Sequence, residues 1–168
     1  CKNVGWSDDL INKTKSQEKG TDAIKAKEVE EVTEATGFHA AGIEQARQAV
    51  QNGKHIIMVN VEADVLAGAA LAKEANYVGV VYSMAYGDQP ALTAEIVEWA
   101  RASGFNVTSA GKGTRYQPIY HKSSPDTVWD YYGLTQEEAR KAGMNPKMFN
   151  SFLDGTKSGV EMAAIAHA

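Results

Sequence analysis

Cysteine and long apolar stretches are the clearest absences in this sequence. Cys1 is the single cysteine among 168 residues, so no disulfide can form within the chain. A chain without disulfides is typical of a reducing compartment, and we therefore expect the protein in the cytoplasm. No apolar run approaches the roughly 18 residues of a membrane span, and no signal peptide is recognisable, so we expect no membrane partner.

Charge of one sign is also not concentrated anywhere along the chain. The formal net charge is -4, from 17 Lys and Arg against 21 Asp and Glu. Nucleic-acid binding would require a clustered basic face, whereas the early lysines alternate with acidic residues, as on a solvated surface. We therefore expect no nucleic-acid partner.

The chain divides into three parts by composition and pattern. Residues 1–27 are polar and lysine-rich, and we interpret them as a poorly ordered arm or a partial helix. Residues 28–113 alternate short β runs with helical runs, which predicts βαβ units around a parallel sheet. Residues 114–168 lose this alternation, and we interpret them as the start of a substrate-binding catalytic domain. Because the chain starts with Cys1 and its last helical run has no stop signal, we expect a fragment of a longer polypeptide.

The predicted elements follow from hydrophobic spacing and from helix start and stop signals. Strands are predicted at 29–33, 55–59, 78–82 and 105–109. Helices are predicted at 40–51, 65–75, 91–102, 136–142 and 159–168. Asp88 is expected to cap the third of these helices, and Pro90 suits its first turn.

A polar cluster follows the strand predicted at 55–59. Asn60, Glu62 and Asp64 come directly after it, and ligands of open α/β sheets bind at the carboxyl ends of strands. Two carboxylates two residues apart can share a cation or hold substrate hydroxyls, so Glu62 and Asp64 are candidates for a metal or substrate site. The alternative for Asp64 is that it only caps a helix beginning at Val65.

Two further candidates follow the next predicted strands. Asp88 would lie near Glu62 if their strands are neighbours, as a third metal or catalytic carboxylate, unless it serves only as a helix cap. Lys112 lies between two glycines. A lysine near carboxylates can act as an acid or polarise a carbonyl whose oxygen gains negative charge in hydride transfer. Gly111 and Gly113 also permit close approach to an anion, although glycine-rich turns are common.

Two more positions are candidates for binding anions or a cofactor. Thr36 and Gly37 lie in a strand-to-helix turn that could line a cofactor pocket or be an ordinary turn. Lys157 falls in the first turn of a helix that Asp154 is predicted to cap, where the helix dipole disfavours a cation. We therefore expect Lys157 to face a substrate carboxylate or phosphate. The glycine-rich dinucleotide fingerprint is absent from the chain.

Five segments in order together resemble one family. They are Glu34-Ala35-Thr36-Gly37, the stretch from Gly53 to Asp64, Ala85-Tyr86-Gly87-Asp88-Gln89-Pro90, Ala110-Gly111-Lys112-Gly113-Thr114 and the stretch from Asn150 to Lys157. The group is the homoserine-dehydrogenase-like oxidoreductases with a C-terminal SAF domain, which includes a deoxyxylulose-phosphate reductoisomerase-like enzyme of isoprenoid synthesis. The resemblance covers about residues 28–168. It implies an α/β fold, with the second half of a Rossmann-like parallel sheet followed by the start of an α-rich catalytic domain.

The resemblance also implies a function. It indicates a nicotinamide-dependent reductase using NADPH, with Thr36, Gly37 and Asn60 on the cofactor side. Glu62, Asp88, Lys112 and Lys157 would be the catalytic or substrate-holding residues. Classical homoserine dehydrogenases have a lysine after the asparagine, where this chain has Val61, and this difference favours the reductoisomerase-like branch. The substrate would be a small phosphorylated hydroxy-keto compound of the 1-deoxy-D-xylulose 5-phosphate type.

Metal use and two other functions remain open at this point. The reductoisomerase branch resembles a metal-assisted rearrangement, so Mg²⁺ or Mn²⁺ held by Glu62, Asp64 and Asp88 is a candidate cofactor. One alternative is a homoserine-dehydrogenase-type oxidoreductase. Another is a non-catalytic binding or assembly module built on a Rossmann remnant. We also expect a homo-oligomer, because a truncated sheet leaves an edge and apolar faces that need covering.

Overall fold

The computed structural model describes residues 7–9 and 19–168. The prediction of a poorly ordered arm therefore lies outside the described residues for 1–6 and 10–18. Within the rest of that segment, Gly20–Lys25 forms a short helix, α1, which buries Ile24 against the following helix. The partial helix expected in residues 1–27 is thus present at this point.

The strands form one small parallel sheet. In the described part of the chain its order is β1-β2-β3, and both pairings are parallel. Its members are β1 (Glu31–Glu34), β2 (His55–Met58) and β3 (Tyr82–Met84). A helix follows each strand, so every connection within the sheet is a βα crossover.

Most of the described residues that are not in the sheet are helical. The helices after α1 are α2 (His39–Gln51), α3 (Val61–Val78), α4 (Gln89–Ala102), α5 (Val128–Tyr132), α6 (Gln136–Lys141), α7 (Pro146–Leu153) and α8 (Thr156–His167), with a 3-10 helix at Pro118–Lys122. The predicted fold class is confirmed: the chain is α/β, with a parallel sheet consistent with a partial Rossmann-like fold. None of the described helices is long and apolar enough to cross a bilayer.

Two strand predictions need correction. The strand predicted at 78–82 begins only at Tyr82, because α3 runs on to Val78 and ends at Gly79, whose φ of 83° is the left-handed conformation that suits glycine. The strand predicted at 105–109 is wrong, since these residues form no regular structure. Phe105 is 64% exposed and packs beside Trp99 on α4 instead of joining the sheet. None of the residues 106–109 is buried, so this segment has no apolar face to pack against the sheet.

Helix α3 begins four residues earlier than the predicted start at Val65. Its N-cap is Asn60, whose side chain accepts a hydrogen bond from the backbone N–H of Ala63. The early start places Glu62 and Asp64 inside the first turn, where acidic side chains suit the helix dipole. The alternative in which Asp64 only caps the helix is therefore wrong, because Asn60 has that role.

The main core lies between the sheet and helices α2 and α3. Ile56 and Met58 of β2 are fully buried there. The helices present mostly small residues to them: Ala46 and Ala49 from α2, with Ala63, Leu71 and Ala75 from α3. Small side chains allow close packing of helix on sheet. Burial of a residue the size of Ile56 contributes about 1.5–3 kcal/mol relative to exposure.

A second, smaller core forms in the C-terminal region. It buries Val128, Trp129 and Ala139, with Phe149 and Leu153 of α7 packed around them. Helix α8 then contacts α7, α3 and α4. The C-terminal helices are thereby attached to the sheet half through α8, which brings two distant parts of the sequence to one place.

Candidate functional site

The candidate site begins where strands β1 and β2 end. Residues 35–38 join β1 to α2, and Val59 and Asn60 join β2 to α3. Because the strands are parallel neighbours, the first turns of both helices lie at the same edge of the sheet. This is the edge at which open α/β proteins bind ligands.

Asn60 lies at this edge, as predicted, but its side chain is turned inward. It is 4% exposed, and its Oδ1 caps α3. Its Nδ2 is buried and finds no hydrogen-bond partner among the described residues. This amide group therefore has hydrogen-bonding capacity that no described residue uses. Buried polar atoms without a partner are uncommon, because they destabilise the fold.

Glu34 was not among the predicted site residues, yet it lies beside Asn60. This last residue of β1 is 1% exposed. Its Oε1 accepts a hydrogen bond from the Thr36 N–H at 2.8 Å, whereas its Oε2 is buried without a partner in the described structure. In the sequence, Glu34 is only a glutamate at the end of a strand, and such a residue is equally typical of a solvent-exposed position.

The Thr36–Gly37 turn is open to ligands. Both residues are exposed, and Thr36 Oγ1 accepts a hydrogen bond from the Phe38 N–H at 3.3 Å. Gly37 has φ of 72°, and a Cβ built there would meet nothing within 4 Å. The turn is uncharged and accessible from solvent. Because the chain has no glycine-rich fingerprint, it offers no recognisable pyrophosphate cradle.

Glu62 and Lys157 meet across the site. Lys157 Nζ donates to Glu62 Oε1 at 3.0 Å, although the two residues are 95 positions apart. Both lie in the first turn of a helix, α3 for Glu62 and α8 for Lys157. The side chains are 47% and 25% exposed, respectively, so the pair is reachable from solvent. Two residues predicted to act together are thus brought into contact.

The pKa of Glu62 is lowered from its ordinary value. Partial burial alone would raise it, but the hydrogen bond from Lys157, the N–H at the helix start and the charges of Lys157 and His39 outweigh that effect. Glu62 is therefore an anion near neutral pH, and not a proton donor. The influence of His39, in the first turn of α2, also shows that the two helix starts lie close together.

Lys112 forms the second ion pair of the site. Its Nζ contacts Glu161 Oε2, and the two side chains are 19% and 8% exposed. The backbone N–H of Lys112 also donates to the Sδ of Met162 at 3.3 Å. Glu161 was missed by the sequence analysis, because a glutamate in an Ala-rich helix is typical of a solvated face. It lies four residues after Lys157, so both project from neighbouring positions on one side of α8.

The start of α8 differs from the prediction. Asp154 is not its N-cap: Gly155 occupies that position, with φ of 86°, and Asp154 ends α7. The Asp154 carboxylate nevertheless serves α8, since Oδ1 accepts from the Thr156 N–H at 2.9 Å and Oδ2 accepts from Asn150 Nδ2 at 2.9 Å. These two hydrogen bonds fix the turn that presents Lys157.

Asp64 has a partner that the sequence did not indicate. The Tyr82 hydroxyl donates to Asp64 Oδ1 at 2.7 Å, and Asp64 is 4% exposed. Burial, followed by the hydrogen bond to the Asp64 carboxylate, raises the pKa of Tyr82. The pair contributes to a cavity of about 400 Å³ that Ala91 of α4 and Ala164 of α8 also line.

The three carboxylates predicted to hold a metal have different partners. Glu62 pairs with Lys157, Asp64 accepts from Tyr82, and Asp88 accepts from the Gln89 N–H at 2.8 Å as the N-cap of α4. The capping role expected for Asp88 is therefore confirmed. Among the described residues, no group of three or more His, Cys, Asp or Glu side chains is arranged to hold a metal ion. The described site does not fit a metal shared by these residues, and we derive no step through one.

Comparison with known protein families gives one match, over the C-terminal part of the chain. Residues 87–168 match the family model described as "Oxidoreductase DRL, catalytic domain". The match begins at Gly87, ahead of residue 114, where we predicted the second domain to start, and it includes Lys112, Lys157 and Glu161. The search of curated proteins found no match. This part of the chain is therefore similar to the catalytic domain of an oxidoreductase family.

Proposed function

We propose that this chain belongs to a nicotinamide-dependent reductase of the reductoisomerase-like type. Its substrate would be a small phosphorylated hydroxy-keto compound such as 1-deoxy-D-xylulose 5-phosphate, and its cofactor would be NADPH. The observation that carries the proposal is the contact between Glu62 and Lys157. It joins the carboxyl edge of a Rossmann-like sheet, where such proteins bind ligands, to the segment similar to an oxidoreductase catalytic domain.

The cofactor side would be formed by the Thr36–Gly37 turn and by Asn60. The turn offers exposed, uncharged backbone, and Asn60 would support this side indirectly, because its buried side chain caps α3 beside the turn. NADPH would supply the hydride. The chain has no recognisable pyrophosphate cradle, so the phosphates of the cofactor would have to be held by other residues of the protein.

The substrate side would be formed by the two lysines. Lys157 would bind the anionic end of the substrate by exchanging its contact with Glu62 for a contact with phosphate, because an ammonium pairs readily with either group. Lys112 would polarise the carbonyl that accepts the hydride and donate a proton to the resulting alkoxide. Glu161 would keep Lys112 charged and oriented before that step.

Val61 favours this substrate over homoserine. The position that carries a lysine in classical homoserine dehydrogenases is here a valine that is 4% exposed, packed at the start of α3. It provides no ammonium to a substrate. The non-catalytic module remains the second candidate, favoured by the absence of a glycine-rich fingerprint in the chain.

The proposal is tested by following NADPH oxidation spectrophotometrically. The assay uses this chain, and the longest polypeptide that contains it, with 1-deoxy-D-xylulose 5-phosphate plus Mg²⁺ or Mn²⁺. NADP⁺ reduction with homoserine is measured in parallel. We expect turnover in the first assay and a large loss in the K112M and K157M variants. Turnover with homoserine alone would support the alternative oxidoreductase, and no turnover of either substrate would favour the non-catalytic module.

A homo-oligomer is a further part of the proposal. Ile96 and Trp99 on α4 are each 65% exposed, which is unusual for large apolar side chains on one helix. Sedimentation of the purified chain at several concentrations tests this part. A single monomeric species throughout would contradict it.

A further inference from the structure

We propose that Glu34 is a positioning residue that couples the Thr36–Gly37 turn to Asn60 and so shapes the nicotinamide side of the site. The inference rests on the proposed function for its cofactor, and on geometry for the coupling itself. Glu34 does not reach a ligand, because its carboxylate is buried. It acts through the two elements beside it.

The first half of the coupling is a direct hydrogen bond. Glu34 Oε1 accepts from the Thr36 N–H at 2.8 Å, and this contact bends the chain back on itself immediately after β1. The exposed Thr36–Gly37 backbone is thereby held in one conformation. Loss of this acceptor would free the turn, because few other contacts restrain exposed backbone there.

The second half is the proximity of two buried polar atoms that have no hydrogen-bond partner among the described residues. Glu34 Oε2 is an acceptor and Asn60 Nδ2 is a donor, and both are buried. A Cβ built on Gly42 would lie 2.7 Å from Glu34 Oε2 and 2.9 Å from Asn60 Nδ2. The two atoms therefore face the same small space, and only the absent side chain of Gly42 leaves room for both. Because one atom is a donor and the other an acceptor, a shift of either side chain changes the electrostatic environment of the other.

A purely structural role would not select a glutamate here. Burying a carboxylate is costly unless its oxygens are paired, and one oxygen of Glu34 is not. Glutamine could accept from the Thr36 N–H equally well without a charge. The nearby starts of α2 and α3 offset part of the cost through their dipoles. What the carboxylate adds is a second acceptor facing Asn60, which glutamine would replace with a donor.

The coupling is tested by exchanging donor and acceptor. In E34Q, two amide donors face each other, and in N60D, two carboxylates face each other. The E34Q/N60D double variant restores a donor, now on residue 34, facing an acceptor on residue 60. Aspartate also remains a good N-cap for α3. We expect each single variant to lower the denaturant midpoint, and the double variant to be more stable than the sum of the two effects predicts. Additive effects would overturn the coupling.

The cofactor role is tested by NADPH titration of the same variants, made in the longest polypeptide that contains this chain. We expect E34Q and N60D each to weaken binding by about tenfold and the double variant to recover most of the loss, a difference of about 1.4 kcal/mol for each single change. G159A is the matched control, because a Cβ at Gly159 meets nothing within 4 Å, and it should leave binding unchanged.

The outcomes separate the two proposals. Non-additive stability with unchanged NADPH affinity in the single variants would overturn the positioning role and leave a structural contact. If the longest polypeptide that contains the wild-type chain binds no NADPH, both the cofactor part of the proposed function and the positioning role are overturned. In that case the stability cycle would still decide whether Glu34 and Asn60 are coupled.

Discussion

Lys157 and Glu62 are joined by a hydrogen-bonded ion pair of 3.0 Å that connects the first turns of α8 and α3. The helix dipole favours the anion at its start and disfavours the cation. Lys157 is therefore in an electrostatically unfavourable position, apart from its contact with Glu62. An anionic ligand would relieve the same conflict, which explains why this lysine is a good candidate for substrate binding.

The K157M variant should affect stability little and activity strongly. The pair is partly exposed, and such pairs contribute about 0–1 kcal/mol. A double-mutant cycle of K157M with E62Q, measured by denaturant unfolding, gives the coupling. A coupling well above this range would mean that the pair is mainly structural, and Lys141 with Glu137, an exposed ion pair on α6, provides a comparison.

The same contact predicts a pH dependence. Since the pKa of Glu62 is lower in the folded chain than its ordinary value of 4.5, the unfolded chain binds more protons at acidic pH. The stabilisation is therefore present above pH 4.5 and is lost as the pH falls through the folded pKa. Unfolding of the wild type and E62Q should converge at low pH. An equal difference between them at all pH values would contradict this.

Tyr82→Phe should destabilise the fold by about 1–3 kcal/mol, because it removes the hydroxyl that donates to the buried carboxylate of Asp64. The folded chain also holds the Tyr82 proton more tightly than the unfolded chain does, since its pKa is raised above 10.0. Stability from this group is therefore present below pH 10 and falls as the pH rises above it. Thermal unfolding measures the first effect, and Tyr77→Phe is the control because Tyr77 is 93% exposed.

Gly68→Ala should be clearly destabilising, although alanine favours helices. A Cβ at this position in α3 would overlap Asp64 Oδ1 and lie 3.1 Å from the Tyr82 hydroxyl. Relieving that overlap must displace the buried pair, and overpacking of this kind costs about 1–3 kcal/mol. The same change at Gly159, which has free space, should be neutral or stabilising. Similar unfolding midpoints for the two variants would refute the packing explanation.

Glu161→Gln should be more harmful than replacing both partners of its ion pair. The single change leaves the partly buried Lys112 without its counter-charge, and since breaking a fully buried pair costs about 3–5 kcal/mol, we expect a loss below that range. The double variant K112M/E161M removes both charges and should recover most of that stability. If E161Q unfolds like the wild type, the pair does not hold the loop against α8.

The sequence predicted the alternation of strands and helices better than the residues at which each element begins and ends. Asn60 was recognised as a site residue, but its role as the cap of α3 was not, because Asp64 is an equally good capping residue. Phe105 was assigned to a strand because aromatic and β-branched residues favour strands. In the structure it lies on the surface and contacts Trp99 instead.

The residues that the sequence missed share one property. Glu34, Tyr82 and Glu161 gain their significance from partners far away in the chain or from burial, and neither is visible in local spacing. Glu62 and Lys157 were selected because they lie next to a strand end and a helix start, where position alone indicates chemistry. Lys112 was selected because it follows the strand predicted at 105–109, which the structure does not form, so its place in the site depends on its contact with Glu161.

The connection between β2 and α3 is too short to absorb a change in length. Only Val59 and Asn60 separate Met58, the last residue of the central strand, from the first residue of α3. One added or deleted residue would rotate every side chain of α3 by about 100° relative to the core. Insertions and deletions should therefore be excluded here, whereas the exposed, irregular residues 113–117 should accept changes in length.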